Sequence, residues 1–294
     1  MEMYVQSCGF SVDDDYRWLK VNADFQQPEI PLIMTRLILT DNRTEVRITD
    51  LIQSEAPSLV LARNDGELFL LVTGLESRER QDFRGRKIRN SVALVCQDSE
   101  ENELFLRAIS VAVLRGKLEG KIDSAVAFGG EYGFQVNFDQ IQTLLSEDEL
   151  RNINSIAAKQ DYKIGKNSSE LKAELADELA EYSLPLDNRI LVVVTGIKKE
   201  STLMQAGVWR GLSNLLEVEG WKKPYKKRSS FDEAVKIFHQ TQPEKKTINQ
   251  KLNQELDILL TSSFIFLIGL LLLSVLLYQS DSPPRIEKKL LLQM

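Results

Sequence analysis

The sequence predicts a mixed protein of the α+β or α/β class, with a single transmembrane helix near its carboxyl end. Short runs of β-branched and aromatic residues, separated by Asp, Asn and Pro, dominate about the first hundred residues and indicate strands. A continuous apolar run, residues 189–195, lies between two segments of helical spacing, which is the order of an α/β layer. Residues 258–278 contain no charged side chain, as is typical of a membrane-spanning helix.

The chain of 294 residues divides into five predicted segments. Its 43% apolar content supports a packed core, and its length suits one large or two ordinary domains. We expect the first two segments to share one globular body. The segments are a β-rich α/β region (1–140), a helix-strand-helix region (141–221), a basic linker with an amphipathic helix (222–257), the transmembrane helix (258–278) and a short tail (279–294).

The clearest element of the first region is a β-hairpin over residues 58–74. Its two apolar runs flank Asn64-Asp65-Gly66, and Asp-Gly favours a tight turn because both residues tolerate positive φ. A helix is predicted over residues 101–115, with Gly116 in the position of a left-handed cap. The other predicted strands cover residues 3–6, 16–21, 32–39, 45–49, 91–96, 125–128 and 132–138.

The second region has a different character. Ser146 and Glu149 have the spacing of a capping box, which opens a predicted helix, and Ser168 or Ser169 caps the next one. The apolar run 189–195 predicts a strand that is buried on both faces. The predicted helices extend to about residue 159, from 168 to about 182 and over 202–216, with a loop over 161–167.

The apolar segment 258–278 holds 21 residues and would form a helix of about 31 Å, close to the thickness of the hydrocarbon core of a bilayer. Buried helices of globular cores are seldom apolar on every face over this length. The amino-terminal residues do not have the pattern of a secretory signal, and only 16 residues follow the helix. We therefore expect a single-pass tail anchor in the inner or plasma membrane, with the large domain in the cytoplasm.

The linker before the transmembrane helix is basic, with nine Lys or Arg and three acidic residues over 222–251, in a chain of net charge −6. Basic side chains near anionic lipid gain about 1 kcal/mol each. The helix predicted at 231–238 either lies on the membrane or packs on the domain, because its apolar stripe serves both. The acidic charge of the preceding body disfavours nucleic acid. We predict membrane-surface contact for Lys222, Lys223, Lys226, Lys227 and Arg228.

A cluster of six cations within an acidic body is the most conspicuous candidate site. It follows a predicted strand, and loops at strand ends commonly bind small anions. Arg presents a planar fork of donors that matches phosphate or carboxylate, and Gly85 lets the backbone approach a ligand. The alternative is a solvated loop that neighbouring acidic residues balance. The six cations are Arg78, Arg80, Arg84, Arg86, Lys87 and Arg89.

A similar order of residues occurs twice. Val72-Thr73-Gly74 precedes Phe83-Arg84-Gly85, and Val194-Thr195-Gly196 precedes Trp209-Arg210-Gly211. A duplication would bring Arg84 and Arg210 to one cleft, which makes Arg210 a candidate ligand-binding residue; because the spacings differ, chance similarity is the alternative. A doubly wound pair of this kind resembles, in arrangement, the nucleotide-sensing domains of prokaryotic immune effectors. That resemblance implies a ligand-gated action on a membrane.

The inventory of reactive residues argues against catalysis. The only histidine, His239, lies in the linker, far in sequence from Cys8 and Cys96, and no metalloprotease, nucleophile-elbow or Walker pattern occurs. Two cysteines are too few for a disulfide framework or a structural zinc site, so we interpret both as reduced core thiols. No metal and no cofactor is predicted.

The sequence thus predicts a tail-anchored protein whose cytosolic domain binds a protein partner or a small anionic ligand without catalysis. Two alternatives stay open. One is a ligand-gated, membrane-perturbing effector of a prokaryotic defence system, and the other is a membrane-tethered enzyme that uses carboxylates only. The predicted partners are the lipid bilayer and a protein or small anion, with nucleic acid excluded and homo-oligomerisation left open.

Overall fold

A computed structural model describes residues 1–39, 45–144 and 150–223 of the chain. The described residues form a mixed α/β fold around one large sheet. The strands are β1 Glu2–Ser7, β2 Arg17–Val21, β3 Gln26–Pro28, β4 Leu37–Leu39, β5 Glu45–Arg47, β6 Ser58–Asn64, β7 Glu67–Gln81, β8 Lys87–Gln97, β9 Val126–Phe128, β10 Phe134–Val136, β11 Lys163–Lys166, β12 Arg189–Thr195 and β13 Arg210–Ser213. The helices are α1 Leu32–Thr35, α2 Glu100–Leu114, α3 Leu118–Ala125, α4 Phe138–Gln142, α5 Ser169–Glu181 and α6 Glu200–Gln205, with a 3-10 helix at Ile48–Leu51.

Nine strands form the large sheet in the order β11-β13-β12-β6-β7-β8-β1-β2-β3. β11, β13 and β12 run parallel to one another, whereas β12 pairs with β6 antiparallel, as do the remaining neighbours. The β6–β12 pair joins the β-rich region to the helix-strand-helix region, so strands of both build one sheet. Two small sheets, β4–β5 and β9–β10, flank it.

Two hydrophobic clusters cover the two faces of the large sheet. The strand β6 is buried at every position, with Leu59 and Leu61 in one cluster and Val60 and Ala62 in the other, because successive side chains of a strand point to opposite faces. Helices α2, α3 and α5 supply apolar residues to the first cluster. The 3-10 helix, β4 and α6 supply the second.

The hairpin predicted at residues 58–74 is confirmed. Strands β6 and β7 pair in continuous register from Ser58↔Thr73 to Asn64↔Glu67. Asp65 and Gly66 have φ values of 50° and 79°, the left-handed conformation that the Asp-Gly pair was expected to supply. Helix α2 is confirmed as well, and the predicted cap Gly116 has a φ of 69°.

The charged segment 75–90 is not the predicted loop. β7 continues to Gln81 through a bulge at Thr73-Gly74, and β8 begins at Lys87, so the segment is the outer part of a second hairpin with Glu76 opposite Arg89. The prediction was wrong because Gly74, at a φ of 73°, bends the strand without ending it. Much of this ribbon faces solvent and lacks the apolar alternation that signals a strand.

Several predictions in the second region need correction. The parallel strand β11 lies inside the predicted loop 161–167, and residues 153–162 are not helical. The helix predicted over 202–216 ends at Gln205, because Gly207 takes a φ of 62° and the N–H of Val208 donates to the carbonyl of Leu203, which closes the helix. The buried strand at 189–195 and the helix capped by Ser168 are confirmed.

Smaller departures occur near the amino terminus. Residues 32–35 form one helical turn that begins after Pro31, so only residues 37–39 of the strand predicted over 32–39 are extended. β5 ends at Arg47, where the 3-10 helix begins. Helix α3 was not predicted.

The described residues contain no helix that is long and apolar enough to span a membrane. Residues 258–278, for which the membrane helix is predicted, lie outside the described residues, as do residues 279–294 and the linker from residue 224 onward. The first compact unit of the chain covers Met1–Tyr225.

Candidate functional site

The turn of the β7–β8 hairpin is held by one carboxylate. Oδ1 of Asp82 accepts hydrogen bonds from the backbone N–H groups of Arg84, at 2.8 Å, and Arg86, at 2.9 Å. The guanidinium of Arg86 lies 2.7 Å from Oδ2. Desolvation raises the pKa of Asp82, but these hydrogen bonds outweigh it and hold the pKa below its ordinary value. Gly85 adopts the left-handed conformation, with a φ of 74°, and the turn is therefore fixed by its own residues.

Arg80, one of the predicted ligand-binding residues, is buried in β7 one residue before the strand ends at the turn. Its exposed fraction is 7%, and its guanidinium donates to Oγ of Ser7 at 3.1 Å and to Oδ1 of Asn90 at 2.6 Å. Nε lies 3.9 Å from a carboxylate oxygen of Asp123. These contacts join β7 to β1, β8 and α3, so the geometry gives Arg80 an anchoring role.

Helix α3 covers the free edge of β7 beyond the end of β6. The backbone N–H of Glu76 donates to the carboxylate of Glu119 at 2.8 Å, and that of Arg78 donates to Asp123 at 2.9 Å. The two carboxylates stand four residues apart on the helix, on the same face. They satisfy backbone donors that a neighbouring strand would otherwise pair, which protects an exposed strand edge.

The described contacts of the remaining cations do not converge on one point. Arg89 lies 3.4 Å from the carboxylate of Glu76 across the ribbon, and the Lys87 ammonium donates to the carbonyl of Arg78. Arg84 forms no ion pair with any described residue, and its guanidinium lies over the ring of Phe83, 5.0 Å from the centroid. Arg84 therefore presents an exposed, uncompensated charge at the tip.

Arg210 is not part of this region. It lies in β13, which β12 and β6 separate from β7, a distance of about 14 Å across the sheet. Its side chain is fully buried in an ion pair with Glu178. The structure therefore does not bring Arg84 and Arg210 to one cleft: Phe83-Arg84-Gly85 forms an exposed turn, whereas Trp209-Arg210-Gly211 opens a buried strand.

Lys222 and Lys223 lie on the body. The backbone of Lys222 exchanges two hydrogen bonds with Ile164 along the outer edge of β11, and its ammonium lies 2.7 Å from Glu200. Lys223 lies 3.8 Å from Asp161. The other three residues predicted to contact the membrane surface, Lys226, Lys227 and Arg228, lie outside the described residues, and membrane contact stays a prediction for all five.

Sequence reasoning missed an exposed aromatic surface beside the hairpin tip. The rings of Phe10 and Phe128 meet edge to face, with centroids 6.1 Å apart, although their exposed fractions are 60% and 39%. Loop 8–16 carries Phe10 and packs on the hairpin, because the hydroxyl of Tyr16 accepts the backbone N–H of Arg89 at 2.9 Å. We use the term distal surface for the residues Phe10, Val12, Tyr16, Phe83, Arg84, Arg86 and Phe128, all of which are exposed.

The buried thiol of Cys8 lies beneath this surface. Burial raises its pKa, and the charges of Asp82 and Asp15 raise it further, whereas a hydrogen bond with Tyr16 and the charge of Arg80 act in the opposite direction. Loop and hairpin residues thus surround one buried group. Cys8 and Cys96 are both buried and unpaired, as the sequence predicted.

The part of the chain that the structure describes holds no cluster of three or more His, Cys, Asp or Glu arranged for a metal ion. No family model, no curated protein and no solved structure matches the chain.

Proposed function

We propose that this protein is a single-pass membrane protein of the inner or plasma membrane whose cytosolic α/β body binds a protein partner through the distal surface, without catalysing a reaction. The observation that carries the proposal is the exposed pair of Phe10 and Phe128 beside the arginine tip of the hairpin. Its membrane attachment is inferred from the uncharged segment 258–278.

The composition of the distal surface supports a protein partner. Aromatic residues and Arg are enriched at protein interfaces, whereas Lys is depleted, and most binding energy comes from a few such residues. Four of the seven residues are aromatic and two are Arg. Phe10 and Phe128 already contact each other, and Arg84 already lies over Phe83, so these contacts reduce the side-chain freedom that is lost on binding.

The arrangement of the cations favours a protein over a small anion. A site for a small anion needs several donors aimed at one point, usually in a concave pocket. Here Arg80 is buried, Arg86 pairs with Asp82, and Arg89 pairs with Glu76. Arg78 and Arg84 are exposed and have no carboxylate partner among the described residues, and the Lys87 ammonium donates to a backbone carbonyl. Separate exposed guanidinium groups suit contacts within a larger interface.

Photo-crosslinking tests the proposal. A photoreactive phenylalanine derivative would replace Phe83 in the full chain, in intact cells, and the same derivative would replace Leu186 as the control, since Leu186 is 82% exposed in the loop between α5 and β12. We expect a protein adduct of one defined mass from position 83, no such adduct from position 186, and loss of the adduct when Arg84→Glu is added. No adduct at position 83, or the same adducts at both positions, would contradict the proposal.

Binding of a small anion is the second candidate, which the unpaired charge of Arg84 on a rigid turn favours. Mass spectrometry of small molecules that co-purify with the detergent-extracted protein would separate the candidates. A nucleotide or other small anion present with the wild type and absent from Arg84→Glu/Arg86→Glu would replace the protein-partner proposal. Its absence from both would leave the protein-partner proposal in place.

A further inference from the structure

We infer that the partner bound by the distal surface is a second copy of this chain, related to the first by a two-fold axis. The inference rests on the proposed function, because it names the partner of the same surface. It derives from the distribution of charge around the exposed aromatic residues.

Charges of opposite sign occupy the two neighbouring parts of this surface. Arg84 stands at the hairpin tip, and Asp13 and Asp15 stand in loop 8–16, which the Tyr16–Arg89 hydrogen bond holds against the hairpin. All three side chains are exposed, and none forms an ion pair with a described residue. The surface therefore carries an unpaired positive part and an unpaired negative part, with apolar rings beside them.

Such a surface is complementary to itself. In a two-fold dimer the same patch lies on both sides, so a residue i of one copy contacts j of the other while j contacts i. The arginine tip of each copy would face the acidic loop of its partner, and both charge pairs would form at once. An arrangement of tip against tip would place like charges opposite each other. Their repulsion selects the arrangement of tip against acidic loop.

The apolar part of the surface is large enough to contribute to a dimer. Phe10, Tyr16, Phe83 and Phe128 are about half exposed, and together they offer on the order of 300–400 Å² of aromatic surface. A standard interface covers about 800 Å² per partner. The charged rim supplied by the hairpin and loop 8–16 adds the polar area that surrounds the apolar centre of most interfaces.

The charges of the surface disfavour an anionic membrane as the occupant. Asp13 and Asp15 offset Arg84, and Arg86 is already paired with Asp82, so the patch has no excess of positive charge. The net negative charge of the chain causes a repulsion between two copies that acts mainly over long distances. At physiological salt this repulsion is screened within about 8 Å, whereas contacting charge pairs are screened less.

A charge exchange tests the inference on the full chain in mild detergent, at physiological salt. Two differently tagged copies would be co-expressed and one tag purified. The first variant is Arg84→Glu, and the second is Asp13→Arg/Asp15→Arg. We expect wild-type copies to co-purify. When both copies carry the same variant, the amount of the second copy recovered should be at least tenfold lower. When each copy carries a different variant, most of the wild-type amount should be recovered. Recovery is expected because the mixed pair forms both charge pairs again, one with reversed sign and one with the original sign.

The outcomes separate the two proposals. Failure of wild-type copies to co-purify, or failure of the mixed pair to recover, would overturn the second-copy assignment. If the second-copy assignment fails but position 83 still crosslinks to one foreign protein, the distal surface remains a binding surface, and that protein is its partner. Absence of any crosslink from position 83 would overturn both.

Circular dichroism spectra and melting curves of both variants should match the wild type, because the exchanged side chains are exposed.

Discussion

Arg210 and Glu178 form a bidentate ion pair in the interior of the protein. Nε of Arg210 lies 2.9 Å from Oε2 of Glu178, and Nη2 lies 2.6 Å from Oε1. Neither side chain exceeds 8% exposure, and the guanidinium lies over the ring of Trp209 at 4.0 Å. The pair fastens β13 to α5, and so joins the parallel part of the sheet to the helix that covers it.

Neutralising one partner of this pair should destabilise the fold. Glu178→Gln leaves the buried charge of Arg210 with Asp161, 3.3 Å away, as its remaining carboxylate. We expect the free energy of unfolding to fall by about 3 kcal/mol, the lower end of the range for breaking a buried ion pair. Chemical denaturation followed by tryptophan fluorescence would measure it, because Trp18, Trp209 and Trp221 all lie in the described body. The exposed Glu181→Gln on the same helix is the control, and equal losses in both variants would contradict the prediction.

The same ion pair should make stability depend on pH. Burial raises the pKa of Glu178, but the hydrogen bonds and charge of Arg210 outweigh it, so the folded-state pKa lies below the ordinary value. A carboxyl group with a lowered folded-state pKa contributes its full stability above the unfolded pKa, about 4.3, and loses it as pH falls through the folded pKa. The difference in unfolding free energy between wild type and Glu178→Gln should therefore be constant near pH 7 and shrink below about pH 4.5. An unchanged difference at pH 3 would show that the pair is not the cause.

The sequence predicted elements whose signal is local, and missed those that depend on distant residues. Asp65-Gly66 specifies its turn within two residues, and Ser168 caps α5 through its own hydroxyl, so both were predicted. Phe83-Arg84-Gly85 and Trp209-Arg210-Gly211 have the same local pattern. Strand pairing and the burial of Glu178 against Arg210 decide that one is a turn and the other a strand, and neither can be deduced from the pattern.

The candidate site shows the same limit. The six cations of the hairpin were identified from composition, but their roles depend on partners far away in sequence: Ser7 for Arg80, and Asp123 for the backbone of Arg78. Phe10 and Phe128 are likewise distant in sequence, and an isolated Phe is most often a core residue. Only the fold brings the two rings together at the surface.

The bulge at Gly74 should tolerate no side chain. A Cβ at this position would lie 2.2 Å from the carbonyl oxygen of Ala56, and the φ of 73° is unfavourable for any other residue. Gly116 has a similar φ of 69° but no atom within 4 Å of the corresponding Cβ, which makes it a matched control. We expect Gly116→Ala to cost about 1–2 kcal/mol from conformation alone. Gly74→Ala should cost about 1–3 kcal/mol more from the clash, measured by denaturation. Equal costs would mean that the Ala56 backbone moves aside freely.

The Asp123 carboxylate should stabilise the hairpin by two contacts, the backbone N–H of Arg78 and the guanidinium of Arg80. Asp123→Ala leaves the first without an acceptor, at a cost of about 1–3 kcal/mol in unfolding free energy. Asp123→Asn keeps an acceptor oxygen and should lose less. Ser124 is exposed next to Asp123, so Ser124→Ala is the control. In the same denaturation assay it should change the free energy of unfolding little. A loss for Asp123→Asn as large as for Asp123→Ala would assign the effect to charge and not to the backbone hydrogen bond.

Two charges in the middle of the apolar segment should release the protein from membranes. Arg at the centre of a transmembrane helix costs about 2.5–3.5 kcal/mol, so Leu267→Arg/Leu271→Arg opposes insertion by roughly 5–7 kcal/mol. We expect the full chain to resist alkaline carbonate extraction and the double variant to be extracted, whereas Leu267→Val/Leu271→Val, which keeps the segment apolar, should behave as the wild type. Tryptophan fluorescence of the extracted variant should match the wild type, since the three tryptophans lie in the body at positions 18, 209 and 221. Equal retention of both variants in the membrane fraction would mean that residues 258–278 do not anchor the protein, and that the body or the basic linker holds it there.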